Sequence, residues 1–181
     1  MKRKLCVLLC VLVPALLVPA AASAAADGFL AVDGLQGDSK VQGYEGTIEI
    51  LSFSWGVSSV EVKKPSFSNL SVMKGLDKTS PKLMEHVAAG TVVPRAKLTL
   101  IVPSGDGVGP EYLRYCFAGV RFTSAQTSWA SGAGRPTESV TFSYEYIVQR
   151  YIGQSPDGTL TPPVFGGWDI IKNLVLPPNS C

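Results

Sequence analysis

Residues 139–149 read SVTFSYEYIVQ, and this stretch decides the fold class. Large apolar or aromatic side chains occupy every second position from Val140 to Val148, and polar ones occupy most positions between, with Ile147 as the exception. Side chains of a strand alternate between its two faces, so the pattern predicts a strand buried on one face, as in antiparallel sheets. The same pattern recurs at the apolar positions Ala96, Leu98, Leu100 and Val102.

Two further strands change their buried face partway along. In GTIEILSFSWG, residues 46–56, the apolar side chains lie on even-numbered positions up to Ile50 and on odd-numbered positions after it. In EYLRYCFAGVRF, residues 111–122, the apolar side chains change in the same way from odd-numbered to even-numbered positions around Gly119. Such a change indicates a bulge or bend, and bends at glycine let a sheet close on itself. With about seven strand candidates, the sequence predicts a mainly β fold, a small antiparallel β-barrel.

One helix is well marked, and we expect it to pack on the side of the barrel. Ser80 is a suitable N-cap, Pro81 suits the first helical position, and Gly90 suits a left-handed stop, which places the helix at residues 81–89. So short a helix is not stable alone. The predicted contact stripe consists of Leu83, Met84, Val87 and Ala88.

Residues 57–65 are predicted to form a loop that a neighbouring subunit covers. The segment mixes Ser, Val and Lys, with turn-forming residues at both ends. Three valines in an exposed loop suggest that another surface covers them. The candidate interface residues are Val57, Val60, Val62, Lys63 and Pro65.

Residues 1–26 have the three parts of a secretory signal peptide. Lys2, Arg3 and Lys4 form a positive start, an apolar stretch follows, and small residues at Ala24–Ala26 provide a cleavage site. The alternative is a membrane anchor, for which the apolar stretch is short. We therefore expect cleavage near Ala24–Ala26, a secreted or periplasmic product, and a single barrel domain at residues 27–181 with a Pro-rich C-terminal tail.

Removing the signal peptide changes the charge balance. The full sequence has 16 basic and 14 acidic residues, and the mature part keeps 13 basic residues against the same 14 acidic ones. No basic run remains, so nucleic acid and anionic membrane surfaces are not expected partners.

The mature sequence has two cysteines, Cys116 and Cys181. An exported chain meets oxidising conditions, so a disulfide within one subunit or between two is one interpretation. The other is a half-buried strand cysteine and an unrelated tail cysteine.

No catalytic, metal or cofactor site is expected. His86 is the sole histidine, and two cysteines with one histidine cannot form a structural zinc site. No nucleophile elbow or phosphate-binding glycine loop is present. Trp129 lies in a polar loop and could serve a ligand-binding surface, whereas Trp55 and Trp168 are predicted to be packed.

Several segments, in this order, resemble the Hcp (haemolysin-coregulated protein) family, which supplies the tube protein of type VI secretion. They span Gly28 to about Lys172, and the most specific are SWG, LDKTSPKLM, RPTESVTF and GWD. The resemblance implies an antiparallel barrel with one helix on its side. It also implies homo-hexameric rings that stack into a tube, a lumen that holds small effector proteins, and no catalytic activity.

The signal peptide departs from that family pattern. A chain exported as an unfolded precursor could not join a tube that is built in the cytoplasm, so assembly is expected outside the inner membrane. A wrongly assigned start is the alternative explanation, against which the complete three-part signal argues. The alternative function is a monomeric secreted barrel that binds a surface ligand outside any secretion machine.

Overall fold

The computed structural model describes residues 27–61, 64–102, 108–132 and 134–177, and within these ranges it has eleven strands and one helix. The predicted signal peptide and Cys181 lie outside the described residues. The strands are β1 Asp27–Val32, β2 Ile48–Ser54, β3 Val57–Glu61, β4 Lys64–Phe67, β5 Leu70–Gly75, β6 Val92–Ile101, β7 Glu111–Ser128, β8 Thr137–Ser143, β9 Tyr146–Tyr151, β10 Val164–Asp169 and β11 Leu174–Val175. The helix, α1, is Ser80–Ala89.

Six strands close into an antiparallel barrel, which confirms the predicted fold class. Their order is β7-β6-β1-β2-β5-β8, and β8 pairs with β7 to complete the circle. The long strand β7 makes this closure because its second half pairs with β8, while its first half pairs with β9. Strands β9, β10 and β11 therefore extend from the barrel as a three-stranded flap.

The barrel interior is filled by side chains on the alternating positions that the sequence indicates. Leu98, Val120 and Phe142 are fully buried, and the aromatic rings of Phe117 and Phe142 meet edge to face at 5.3 Å. Val102, which was predicted to continue the apolar face of β6, is instead exposed because the register shifts at Leu100/Ile101 and Ile101 is buried in its place.

The predicted changes of face are confirmed as irregular pairings. The β2–β5 register shifts between Ile50 and Ser52. In β7, Gly119 has a φ of 62°, a left-handed conformation that glycine adopts without strain, and the pairing partner of β7 changes there from β9 to β8. The segment at 140–148 was predicted as one strand, but it is two: β8 ends at Ser143 and β9 begins at Tyr146, which explains why Ile147 broke the alternation.

The helix begins one residue earlier than predicted, and its stripe is narrower. Thr79, not Ser80, is the N-cap residue, and Gly90 ends the helix with a φ of 63°. Leu83 is buried and Val87 packs against the core, whereas Met84 and Ala88 are exposed, so including them in the stripe was wrong. A ten-residue helix resting on a convex barrel can bury only the side chains along its line of contact.

Candidate assembly surface

The predicted loop at 57–65 is an antiparallel hairpin rather than a loop. Strands β3 and β4 pair with each other and with no strand of the barrel in the described part of the chain. The hairpin joins the barrel at a closed base, where the Ser68 N–H donates to the Gly56 carbonyl at 2.9 Å and the Gly56 N–H donates to Ser68 Oγ at 2.8 Å. The hairpin was missed because its valines do not alternate with polar residues at a strict period of two.

A hydrogen-bond chain fixes the base of the hairpin to the barrel. Trp55 Nε1–H donates to the hydroxyl of Tyr144, and that hydroxyl donates to the Ser68 carbonyl at 3.0 Å. Tyr144 is buried, and its burial raises the pKa of its hydroxyl to about 12. The hydroxyl, which a free tyrosine also keeps protonated at neutral pH, stays protonated here into alkaline conditions and can hold both partners.

An apolar groove of about 310 Å³ lies between the hairpin base and the flap. Aromatic side chains form its floor, with the Phe67 and Trp168 rings 6.4 Å apart. Trp168 Nε1 is buried without a hydrogen-bond partner among the described residues. Trp55 and Trp168 pack against the barrel core, as expected from the sequence.

Two of the candidate interface residues line this groove. Val57 has 52% of its surface exposed, and Pro65, which is half-buried, lies opposite Ser59 in the hairpin. Val62, Lys63 and the side chain of Val60 lie outside the described residues, so their predicted role stays a prediction.

The edge of the flap carries a second group of exposed apolar side chains. Strand β11 pairs only with Trp168 and Asp169, so the first half of β10 has no partner on that side among the described strands. An unpaired strand edge is a surface on which another strand can add. The exposed apolar residues on this edge and beside it are Leu160, Val164, Leu174 and Val175.

A buried ion cluster anchors the helix to the barrel and was not anticipated from the sequence. Lys74 Nζ on β5 lies 3.0 Å from Glu138 Oε2 on β8 and 2.9 Å from Asp77 Oδ1. Ser80 Oγ, in the first turn of α1, donates to Glu138 Oε2 at 2.7 Å and accepts from Lys74 Nζ at 3.0 Å. Ser80 is thus engaged in this cluster and does not cap the helix. The alternation of β5 places Lys74 on the inward face of the strand, and this pattern could have predicted a buried lysine from the sequence.

Cys116 lies on the face of β7 that points away from the barrel core. Its neighbours Tyr115 and Phe117 belong to the core, so Cys116 takes the opposite face. It is disulfide-bonded. Because Cys181 lies outside the described residues, the pairing of these two cysteines stays a prediction.

The residues considered for chemistry lie on different elements: His86 is on α1, and Trp129 directly follows β7. His86 is half-buried against Phe122, with ring centres 6.2 Å apart. Trp129 is exposed over 62% of its surface, as predicted, and its Nε1–H donates to the Gly134 carbonyl at 2.9 Å. Within the described residues, no group of three or more His, Cys, Asp or Glu side chains could hold a metal ion. No helix in the same ranges is long and apolar enough to span a membrane.

Comparison with known proteins identifies the family. Residues 29–151 match the family model "Type VI secretion system effector, Hcp". The chain is 31% identical over 160 residues to protein hcp1 of Pseudomonas aeruginosa, and the alignment covers 83% of this chain and 98% of the relative.

Solved structures agree with this assignment. Hcp1 from Salmonella typhimurium has a TM-score of 0.72 at 28% identity and covers 84% of this chain and 99% of its own. A structure described as a type six secretion system protein has a TM-score of 0.78 at 27% identity and covers 84% and 100%. The closed barrel, the helix on its side and these matches lead to one conclusion: the chain belongs to the Hcp family of secreted structural proteins that build the tube of type VI secretion.

Proposed function

We propose that six copies of this chain close into a ring and that rings stack into a tube outside the inner membrane. The observation that supports the ring is the placement of apolar surface. One exposed patch lies on the hairpin and its groove, around Val57, and another lies on the flap edge, around Val164. Large exposed apolar surfaces of this kind mark protein contacts.

One patch is centred on the hairpin and the other on strand β10, and this placement favours cyclic closure. If the hairpin of one subunit rests on a neighbour, each subunit gives one patch and receives another, a head-to-tail contact. Such contacts form a ring when the rotation closes, and no patch is then left free. The base of the hairpin is fixed by Trp55 and Tyr144, so little conformational freedom is lost when it docks.

Light scattering on the mature protein tests the ring. Val57→Asp should convert the hexamer to smaller species with an unchanged circular dichroism spectrum, because Val57 is exposed and its replacement buries no charge in the subunit. Ser58→Asp is the matched control: it places the same charge at the next position, on the opposite face of β3. A wild-type monomer across the micromolar range, or equal effects of the two variants, would contradict this assembly.

The proposed route to the outside begins with cleavage of residues 1–26 near Ala24–Ala26. The three-part pattern of residues 1–26 supports this route: Lys2, Arg3 and Lys4 precede an apolar stretch, and small residues follow it. N-terminal sequencing of protein from the periplasm or culture supernatant should give Ala25 or Asp27 as the first residue. Soluble cytoplasmic protein with an intact Met1 would contradict export by this route.

The lumen of the proposed tube would hold small effector proteins, and the chain itself would be a carrier rather than an enzyme. His86→Ala should leave effector export unchanged, because the imidazole packs on Phe122 rather than beside a nucleophile. The monomeric binding module remains the second candidate, and the exposed indole of Trp129 is the observation in its favour. A hydrolase activity that is lost in the His86 variant would overturn the carrier function.

A further inference from the structure

We propose that a pocket on the outer face of β6, β7 and β9 binds a phosphate group that is carried on a small apolar body. The pocket has a volume of about 340 Å³, which is within the range of small-molecule sites, and it shares no lining residue with the groove at the hairpin base. The site does not depend on the ring, because every residue that forms it belongs to one subunit.

Strand pairing brings the polar residues of the pocket together. Arg95 and Lys97 are two residues apart on β6, so both lie on the same face of that strand. Arg95 is opposite Ala118 on β7, and Ala118 is opposite Tyr146 on β9, which places these three residues in one row. Ala96, between the two cations, belongs to the barrel core, so the row lies on the outer face of the sheet.

The lining of the pocket carries more positive than negative charge. Three cations, Arg95, Lys97 and Arg114, stand against one carboxylate, that of Asp33. Lys97 is exposed and makes no ion pair in the described part of the chain. Arg95 Nε lies 3.2 Å from Asp33 Oδ2, but their side chains are 78% and 41% exposed, so this pair contributes little and leaves Arg95 able to contact a ligand. A phosphate group carries close to two negative charges at neutral pH, which matches the surplus.

Arg114 has a donor that nothing in the described chain accepts. Its Nη2 donates to the carboxylate of Glu111, which also accepts from Arg150 Nη1 at 2.7 Å, so two cations share that one carboxylate. Arg114 Nε is buried and has no hydrogen-bond partner among the described residues. A buried N–H without a partner is rare in folded proteins and calls for a group that accepts from it. A phosphate oxygen takes that role in the proposed site.

Small side chains between the charged ones leave room for the apolar body of the ligand. Ala31 and Ala118 are half-buried in the lining, and the half-buried ring of Tyr146 lies in the same lining. An aromatic or short aliphatic group loses contact with water when it covers such a surface, which favours binding. Cys116 also lines the pocket and is disulfide-bonded, so binding should be measured on unreduced protein.

Isothermal titration calorimetry on the mature, unreduced protein tests the site with phenylphosphonate, which joins a doubly charged phosphate-like group to an aromatic ring in mildly alkaline buffer. We expect saturable binding at one site per subunit. Inorganic phosphate lacks the ring and benzoate has a single charge, so each should bind at least about tenfold more weakly. No saturable binding of phenylphosphonate, or an equal affinity for either of the other two anions, would overturn the proposal.

Two pairs of variants locate the binding. Lys97→Gln should weaken phenylphosphonate binding about tenfold or more, because it removes the unpaired cation of the pocket. Lys82→Gln makes the same charge change on α1, outside the pocket, and should leave binding unchanged. Ala118→Leu should abolish binding by filling the pocket without changing its charge, and Ala88→Leu, at an exposed position of α1, is its control. Equal effects of the two lysine variants would overturn the proposal, and they decide the matter even where Ala118→Leu does not fold.

Soluble molecules and lipid headgroups both carry phosphate groups, and vesicle binding separates these two sources. Co-sedimentation with phosphatidylcholine vesicles that contain phosphatidic acid, if phenylphosphonate and Lys97→Gln both reduce it, would assign the headgroup. Phenylphosphonate binding without vesicle binding would assign a soluble phosphate, which we expect because the mature chain has no basic run. Light scattering reports the ring separately, so either proposal can fail without the other.

Discussion

The barrel and its two appendages use apolar residues in opposite ways. Inside the barrel, Leu98, Val120 and Phe142 are completely buried within the subunit. On the hairpin and the flap edge, Val57 and Val164 remain largely exposed although they lie in regular strands. Burial of apolar surface is the main stabilising contribution to a fold, and the barrel buries its apolar side chains within the subunit. The appendages instead leave apolar surface that neighbouring proteins can cover. Substitutions in the two regions should therefore have different effects: loss of stability in the first and loss of assembly in the second.

The largest expected effect comes from the ion cluster within the barrel. Lys74→Ala should destabilise the protein by about 3–5 kcal/mol, because it leaves the carboxylates of Glu138 and Asp77 without their buried cation. Lys78→Ala is the control: its partner Asp38 is 3.5 Å away and both side chains are about half exposed, so its loss should cost less than about 1 kcal/mol. Urea denaturation measures both. Equal costs would show that the cluster is well solvated and that it does not anchor α1.

The next effect compares two adjacent positions on the helix. Leu83→Ala should cost about 2–5 kcal/mol, since Leu83 is 1% exposed and its removal leaves a cavity between α1 and the barrel. Met84→Ala should change the free energy of unfolding by less than about 0.5 kcal/mol, because Met84 is 63% exposed. Thermal unfolding of both variants gives the comparison. A large cost for Met84→Ala in the hexamer but not in a dissociated form would place this side of α1 in a subunit contact.

A third test uses the joint between the barrel and the hairpin. The raised pKa of Tyr144, about 12 against 10 for a free tyrosine, means that the unfolded chain ionises before the folded one. Stability is therefore complete below pH 10 and falls as the pH rises toward 12, by at most about 3 kcal/mol. Tyr144→Phe should show a shallower alkaline decline, although burial also raises the pKa of Tyr115 and some decline will remain. Identical declines in wild type and variant would exclude Tyr144 as a source.

Much of the barrel could be predicted because its strands follow simple alternation. The irregularity of β7 at Gly119 and the end of α1 at Gly90 could also be predicted from the sequence, because both positions need a left-handed backbone that glycine favours. Tertiary contacts decided the rest. Whether Met84 is covered depends on the curvature of the barrel under α1, and whether Ser80 caps the helix depends on Lys74 and Glu138, which are distant in sequence from each other. Because these distant residues compete with the helix end for the Ser80 hydroxyl, the sequence around Ser80 does not show which partner it binds.

The appendages were harder to predict, for a related physical reason. An apolar strand residue in a barrel faces the core, which gives a period of two, but hairpin residues that face solvent or a neighbour are under no such constraint. Residues 57–65 were thus interpreted as a loop, although they pair from Val57 opposite Phe67 to Glu61 opposite Lys64. The same argument applies to β11, whose two residues form a strand only because Trp168 and Asp169 lie beside them.

The smallest expected effect concerns Trp129, and it separates the two functions. Trp129→Ala should cost less than about 1 kcal/mol, because the indole is exposed and the substitution removes one hydrogen bond to the Gly134 carbonyl. In a tube protein the variant should still form the same ring, which native mass spectrometry can measure beside Val57→Asp. Trp55→Phe is the matched aromatic control: it removes the hydrogen bond to Tyr144 and should loosen the hairpin base, weakening assembly while the barrel remains folded. A Trp129 variant that keeps its fold but loses its only measurable binding, in a protein that is monomeric throughout, would instead favour the secreted binding module.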